Sequence, residues 1–282
     1  MKQKIPSGLW LLLPAVAMLL AFFLLPSLDI LAKSVFDPNF TSEHFLKAIG
    51  RSVYRKVLLN TFQVALIVST ACVVIGYPVA YFIATQPRKR QFTYLFLIFV
   101  PLWMSILVRT YAWMVVLGRE GILNTWLITL GITDEPVKML YTTGTVYLAM
   151  IQILLPIQII TCFTAMSDIN LDLIRAARVL GASKWQAIRR VFIPLSIEGT
   201  VSGFILVFML TMGFFITPAL VGGREDLMLG NLIEMNVGRL KWGFAAALAV
   251  VLLTVTMTCV VIFRKLSKHA TRLLVGATSR EV

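Results

Sequence analysis

The residues in this chain that could do chemistry are few, and their spacing argues against catalysis. Cys72, Cys162 and Cys259 lie far apart inside apolar runs, and His44 and His269 are isolated, so no metal-ligand spacing is present. No G-x-x-x-x-G-K-[ST], HExxH or G-x-S-x-G sequence occurs, and no carboxylate pair falls in a plausible pocket. The reading is a non-enzyme that binds no metal and no cofactor of its own. What remains is recognition chemistry, concentrated in the stretch from Asp168 to Pro194. It carries Arg175, Arg178, Lys184, Arg189 and Arg190 with Asp168 and Asp172. A charge-free run from Met139 to Ser167 precedes it, and another from Gly199 to Gly223 follows.

The flanking elements must be membrane spans. Of 282 residues, 59% are hydrophobic and 14% charged, against about 25% charged in soluble domains. Too little polar material exists to cover a globular surface. The formal net charge of +13 is distributed between apolar runs instead of forming one patch, which excludes nucleic acid as a partner. A crossing needs about 20 apolar residues, and six stretches qualify, at about 8–31, 57–85, 92–117, 146–166, 198–221 and 243–263. The first follows Lys2 and Lys4 but is too long for a cleaved signal, so it reads as a retained span. Ile122 to Gly131 is too short to cross and reads as a surface segment. The fold class expected is all-α, one polytopic domain of six transmembrane helices.

Orientation follows the basic residues. Arg88, Lys89 and Arg90 in one short turn, together with the Asp168–Pro194 stretch, place both termini in the cytoplasm. Lys33, Lys47, Arg51, Arg55 and Lys56 in the first outer loop oppose this bias.

Within the polar stretch, Leu171, Ile174, Ala177 and Leu180 recur at helical spacing. Gly181 sits where glycine closes a helix, and Ser183 with Gln186 forms a capping-box signature. Pro194 marks the end of that second helix or a kink into the fifth span. The result expected is helix, tight turn, helix. Two uses fit: an amphipathic hairpin on anionic headgroups, or a docking element whose Ala176, Ala177, Gly181 and Ala182 admit another protein closely.

The order Ala176, Ala177, Gly181, Val191, Ile193, Pro194 matches A-A-x-x-x-G-x(9)-[apolar]-x-[apolar]-P. It resembles the EAA signature of permease subunits in bacterial binding-protein-dependent ATP-binding-cassette importers. Residues 59–84, 108–124 and 216–233 are further similar to the spermidine/putrescine-type permeases, and the likeness covers roughly three-quarters of the chain. The resemblance implies the type I importer architecture in a bacterial inner membrane. It also implies partners: two ATPase subunits that use ATP and Mg, a second permease completing the pore in a heterodimer, and a periplasmic substrate-binding protein. By the same resemblance Asp172, Arg175, Ala176, Ala177, Gly181, Ala182 and Pro194 belong to a loop, 168–194, that couples to the ATPase. The family's usual glutamate is replaced here by Arg175, leaving Asp172 to support docking or to pair with Arg175 at i,i+3. The substrate implied is a polyamine. Another small solute, such as an opine or amino-acid derivative, is the alternative. An ion-driven secondary transporter would place carboxylates at mid-membrane, and here Asp29 and Glu198 lie near span ends.

Four residues are pathway or gate candidates. Arg109 lies nineteen residues beyond Arg90, about 28 Å along a continuous helix and therefore near the outer interface. There it either snorkels to headgroups or gates the outer mouth. Tyr111 and Trp113 read as interfacial anchors or as an aromatic passage offering cation–π contacts. Trp103 lies too deep for an interfacial belt and is the stronger pathway candidate.

Overall fold

A computed structural model describes residues 12–36 and 39–278, with side chains described to residue 269. Lys2, Lys4 and the start of the first expected span at residue 8 lie outside the described residues, as do the side chains of Arg272 and Arg280. The regular elements among the described residues are helices: α1 Leu13–Lys33, α2 Glu43–Gly50, α3 Ser52–Ala84, α4 Arg88–Phe99, α5 Ile106–Leu117 and α6 Ile122–Thr129. Then follow α7 Thr143–Ser167, α8 Asp172–Val179, α9 Lys184–Met212, α10 Ile216–Val221, α11 Leu229–Gly238 and α12 Trp242–Thr278. Five of these are long and apolar enough to cross a membrane: α1, α3, α7, α9 and α12, the last counted to His269. A sixth crossing results if α4 to α6 is one broken span.

That broken span is the main departure from the sequence reading, which took 92–117 as one run. The arms Arg88–Trp103 and Ile106–Thr129 meet at 90°. Pro101 cannot supply the N–H of a helical turn, the turn tightens to 3₁₀ over Val100–Trp103, and Met104 and Ser105 go extended. Hydropathy cannot register such a bend because both arms are apolar.

Proline has a gentler effect in α1 and α9. Each contains one π turn just before a proline, Leu20–Leu24 before Pro26 and Ile188–Phe192 before Pro194. Proline removes one i→i−4 bond and its ring crowds that carbonyl; the wider turn, with the Ile193 N–H reaching back to the Ile188 carbonyl, makes the space. The helix therefore runs on through Pro194.

The chain divides into two units, residues 1–55 with 232–253, and residues 56–231 with 254–282. In the first, α1 buries none of its apolar window within the chain, so its lateral surface is left for lipid or another protein. In the second, two apolar clusters form the core. One joins Val64, Val68 and Cys72 of α3 to Val146, Met150 and Ile153 of α7 and Val207 of α9. The other joins Ala80 and Ile83 of α3 to Ile159, Cys162 and Met166 of α7 and Phe192 of α9.

Where α7 and α9 meet, small residues let the backbones approach. A Cβ at Gly199 would collide with Ala165, and one at Gly203 would lie 2.8 Å from Gln158 Nε2. The four-residue spacing of Gly199 and Gly203 is the small-xxx-small pattern of membrane helix contacts. Gln158 is fully buried there, its Nε2 donating to the Thr200 carbonyl at 3.3 Å and to Cys162 Sγ at 3.1 Å.

Candidate functional site: the polar hairpin and the bent span

The hairpin begins with α8, whose Leu171 and Ile174 settle against the second apolar cluster beside Ile188. At its C-terminus Gly181 takes φ +92°, and the Ala182 N–H reaches back to the Ala177 carbonyl at 3.0 Å. This left-handed closure is cheap only for glycine. No neighbour restricts the residue further, since a Cβ there would meet nothing within 4 Å. Ser183 then starts α9 with a complete capping box: its hydroxyl accepts from the Gln186 N–H at 3.2 Å, and Gln186 Oε1 accepts from the Ser183 N–H at 2.8 Å.

The helix–turn–helix thus has its expected turn, with one correction. Of the two outcomes expected at Pro194, an end or a kink into the fifth span, the helix does not end there and runs on as α9. Leu180 does not join the inward face of Leu171 and Ile174; it is 88% exposed, like Val179, because α8 ends at Val179 and Leu180 lies in the turn beyond. Trp185 is 65% exposed just across the turn. Ala176 and Gly181 are exposed, and Ala177, Ala182 and Pro194 are half-buried. Arg175 donates to Asp172 Oδ1 at 2.8 Å, both side chains being largely solvated. Sequence reasoning passed over Val179 and Trp185 and took Leu180 only as part of the apolar face of α8. Their signal was three large apolar side chains bracketing a glycine turn in an otherwise charged stretch.

The bent span redistributes the four pathway candidates. Arg109, expected near the outer interface, is only 7% exposed and lies under α7, its NH1 donating to the Ile153 carbonyl at 3.5 Å. Its Nε has no partner among the described residues. The 28 Å distance assumed a straight helix, and the 90° break removes that premise; a buried guanidinium does not snorkel. Trp103 lies at the break itself, 75% exposed, with its ring 6.0 Å edge-on from Phe96. Tyr111 is half exposed, whereas Trp113 is partly buried against the first cluster and directs its Nε1 to Gln152 Oε1 at 3.4 Å. The four are therefore not one constellation. Trp103 and Tyr111 face outward, while Arg109 and Trp113 face α7.

Two further polar residues fasten the loops around this span. Asn124 spans the 118–137 loop, donating to the Gly118 and Val137 carbonyls at 2.9 and 3.0 Å and accepting from the Val137 N–H at 2.9 Å. Thr110 of α5 meets Thr217 of α10 at 3.2 Å, both buried.

Beyond α9, the segment 213–231 is held by side-chain hydrogen bonds, those of Asn231 to Met228 and of Thr61 to Leu229 being buried. Asp226 accepts from Thr143 Oγ1 at 2.6 Å and from the Gly223 N–H at 2.7 Å. Asn231 donates to the Phe215 carbonyl at 2.7 Å and accepts from the Met228 N–H at 3.0 Å. Thr61 accepts from the Leu229 N–H at 2.8 Å, and Asn60 donates to the Glu225 and Leu227 carbonyls at 3.3 and 3.1 Å. Among the described residues no group of three or more His, Cys, Asp or Glu could hold a metal ion.

These features agree with what the chain is similar to. Residues 9–272 match the family described as binding-protein-dependent transport system inner membrane component. The spermidine/putrescine transport system permease protein PotB of Escherichia coli K12 is 33% identical over 262 residues, covering 90% of this chain and 95% of that protein. Its counterpart in Haemophilus influenzae is 33% identical over 264 residues, covering 90% and 92%. Among solved structures, a chain of a bacterial ABC transporter that imports the acidic polysaccharide alginate superposes with a TM-score of 0.74 at 18% identity, over 93% of this chain and 94% of that one. That likeness shows the fold alone. Family membership implies an importer complex with an ATPase, a paired permease and a periplasmic binding protein. The protein belongs to the binding-protein-dependent transport system inner membrane components, and it is a membrane-embedded, non-catalytic permease subunit of an ATP-binding-cassette importer.

Proposed function

We propose that the chain forms half of the pore of a polyamine importer and that its hairpin receives the stroke of the ATPase. One observation carries the coupling role. Val179, Leu180 and Trp185 stand exposed around the Gly181 turn on an element otherwise anchored by Leu171, Ile174 and Ile188. Large apolar groups held out on a rigid turn match an anchor for a protein pocket. The hairpin lies on the cytoplasmic side with both termini, in the same compartment as ATP. Two ATPase subunits and a second, different permease complete the assembly. Asp172 holds Arg175 along the helix, so that Arg175 presents its remaining donors to the ATPase where relatives of the wider family carry glutamate. Ala176, Ala177 and Ala182 keep the approach low.

The polyamine assignment is supported by the one-third identity to the two PotB proteins over nine-tenths of the chain. At the bend, Trp103 and Tyr111 face the second permease across the pathway, where aromatic faces suit an ammonium group. Arg109 and Trp113 set the bent arm against α7 as a gate. A second reading, another small solute, is favoured by the charge distribution: acidic residues of the long described spans are limited to Asp29 and Glu198, and Arg109 is cationic.

Reconstitution with the ATPase, the second permease and the binding protein tests both points. Trp185→Ala should lower spermidine-stimulated ATP hydrolysis at least about tenfold, a loss of about 1.4 kcal/mol in coupling, while membrane insertion is unchanged. Wild-type coupling in Trp185→Ala and in Leu180→Ala together would refute the docking role. ATP hydrolysis insensitive to spermidine and putrescine, but stimulated by an amino-acid derivative, would replace the substrate.

A further inference from the structure

The basic residues of the first outer loop run against the orientation bias, and the transport mechanism above gives them no task. In the unit formed by residues 1–55 and 232–253, two of them meet two further basic residues at one cavity of about 520 Å³. Lys47 of α2, Arg51 before α3, and Arg239 and Lys241 between α11 and α12 line it, and no Asp or Glu does. Lys47 shares an exposed pair with Glu43 at 3.4 Å. Arg51, Arg239 and Lys241 have no ion-pair partner among the described residues.

The backbone is strained to produce this convergence. Leu240, between Arg239 and Lys241, has φ +57°, a left-handed conformation that costs a side-chain-bearing residue about 1–2 kcal/mol. The turn is held by the Leu240 N–H donating to the Val237 carbonyl at 2.9 Å and the Lys241 N–H donating to the Asn236 carbonyl at 2.9 Å. It reverses the chain so that residues on both sides of Leu240 line the same cavity, while Leu240 itself is exposed. Such strain at a cluster of like charges is the pattern of a built site.

A further wall of the cavity is apolar: Tyr54, Leu232, Met235 and Phe244, with the Tyr54 and Phe244 rings edge-to-face at 5.2 Å. His44 also lines it, 6.3 Å from Phe244, and both its ring nitrogens are buried without a hydrogen-bond partner among the described residues. Trp242, half exposed at the start of α12, has the position of an interfacial anchor.

We propose that this cavity binds a phosphoryl anion, and that the anion is the headgroup of an anionic phospholipid. Arginine and lysine together supply bidentate and point-charge contacts to a phosphodiester. The adjoining apolar wall takes the first carbons of the acyl chains, which free phosphate would leave bare. A polyamine is excluded from the cavity by like charge. The outer-leaflet location rests on the orientation proposed for the permease, but the binding does not, so a failed transport assay and a failed lipid assay are distinguishable.

The experiment is native mass spectrometry of the full chain in its assembled importer, delipidated and then supplied with phosphatidylglycerol or phosphatidylcholine. The expected result is selective retention of phosphatidylglycerol, lost at least tenfold in Arg51→Gln/Arg239→Gln and kept in Arg51→Lys/Arg239→Lys. Equal retention of the two lipids by wild-type protein overturns the proposal, and this arm needs no variant to fold. So does undiminished phosphatidylglycerol in a monodisperse glutamine variant. Inorganic phosphate at millimolar concentration is the third probe. If it is retained where phosphatidylglycerol is not, the lipid assignment falls and a soluble anion takes its place. If the glutamine variant instead loses its grip on the periplasmic binding protein with lipid retention unchanged, the cavity serves a protein carboxylate and the lipid proposal is refuted.

Discussion

The hairpin around Gly181 and the segment after α9 both carry charged side chains and small residues and lie at the two ends of one helix, yet they are built on opposite terms. In the segment 213–231, polar side chains are spent inside the chain: Asp226, Asn231, Thr61 and Asn60 each satisfy backbone groups of that segment. In the hairpin, the Asp172–Arg175 pair and the capping box serve only α8 and α9 locally, and three large apolar side chains remain uncovered. One region has its partners in this polypeptide. The other leaves large apolar side chains uncovered in it. If the coupling role proposed above holds, the contrast separates residues whose loss unfolds the permease from residues whose loss uncouples it.

Asp226→Ala should break the first region most, because it removes the buried carboxylate that holds both the Gly223 N–H and the Thr143 hydroxyl. A loss of about 3 kcal/mol is expected, read as a lower unfolding temperature in detergent; a shift no larger than that of an exposed alanine substitution would mean that water replaces the carboxylate. Gly203→Ala comes next, at about 2 kcal/mol, since the added methyl meets the Gln158 amide between α7 and α9. Gln158→Ala in the same background should restore part of that loss, and its failure to do so would place the strain elsewhere.

The hairpin should respond more weakly in stability. Gly181→Ala costs about 1 kcal/mol through its left-handed backbone alone, and Gly181→Asn less, as asparagine tolerates that region. If the two variants uncouple ATP hydrolysis equally while differing in stability, side-chain bulk against a partner, not backbone strain, limits the site. Asp172→Asn, which weakens a solvated pair, should change stability by no more than about 0.5 kcal/mol. A larger loss would contradict the view that the hairpin's polar groups are locally dispensable.

Much of the fold was legible because its signals are one-dimensional. Apolar run length identified the long helices, and the Ser183–Gln186 spacing with Gly181 identified a capped turn. The departures arose where geometry depends on what a segment meets. Pro101 was visible, but whether a proline is absorbed, as Pro194 is by a π turn, or breaks the helix, as at Val100–Trp103, depends on packing across several helices. Arg109 followed from that: once the rod assumption failed, so did its depth. Gly199 and Gly203 were legible as a spacing, though their role needs Ala165 and Gln158 opposite them. The pairing of Asp226 with Thr143, 83 residues apart, has no local signature at all.

The uninterrupted course of α9 has a mechanical consequence. Because the π turn carries the helix through Pro194, Trp185 and Gly203 belong to one lever, 29 residues and about 43 Å long, with the hairpin as its handle. Its fulcrum is the crossing with α7, where Gly199 rides against Ala165 with no side chain to catch. A tilt imposed at the handle would be carried past this crossing to the shorter arm beyond Gly203, against the buried amide of Gln158.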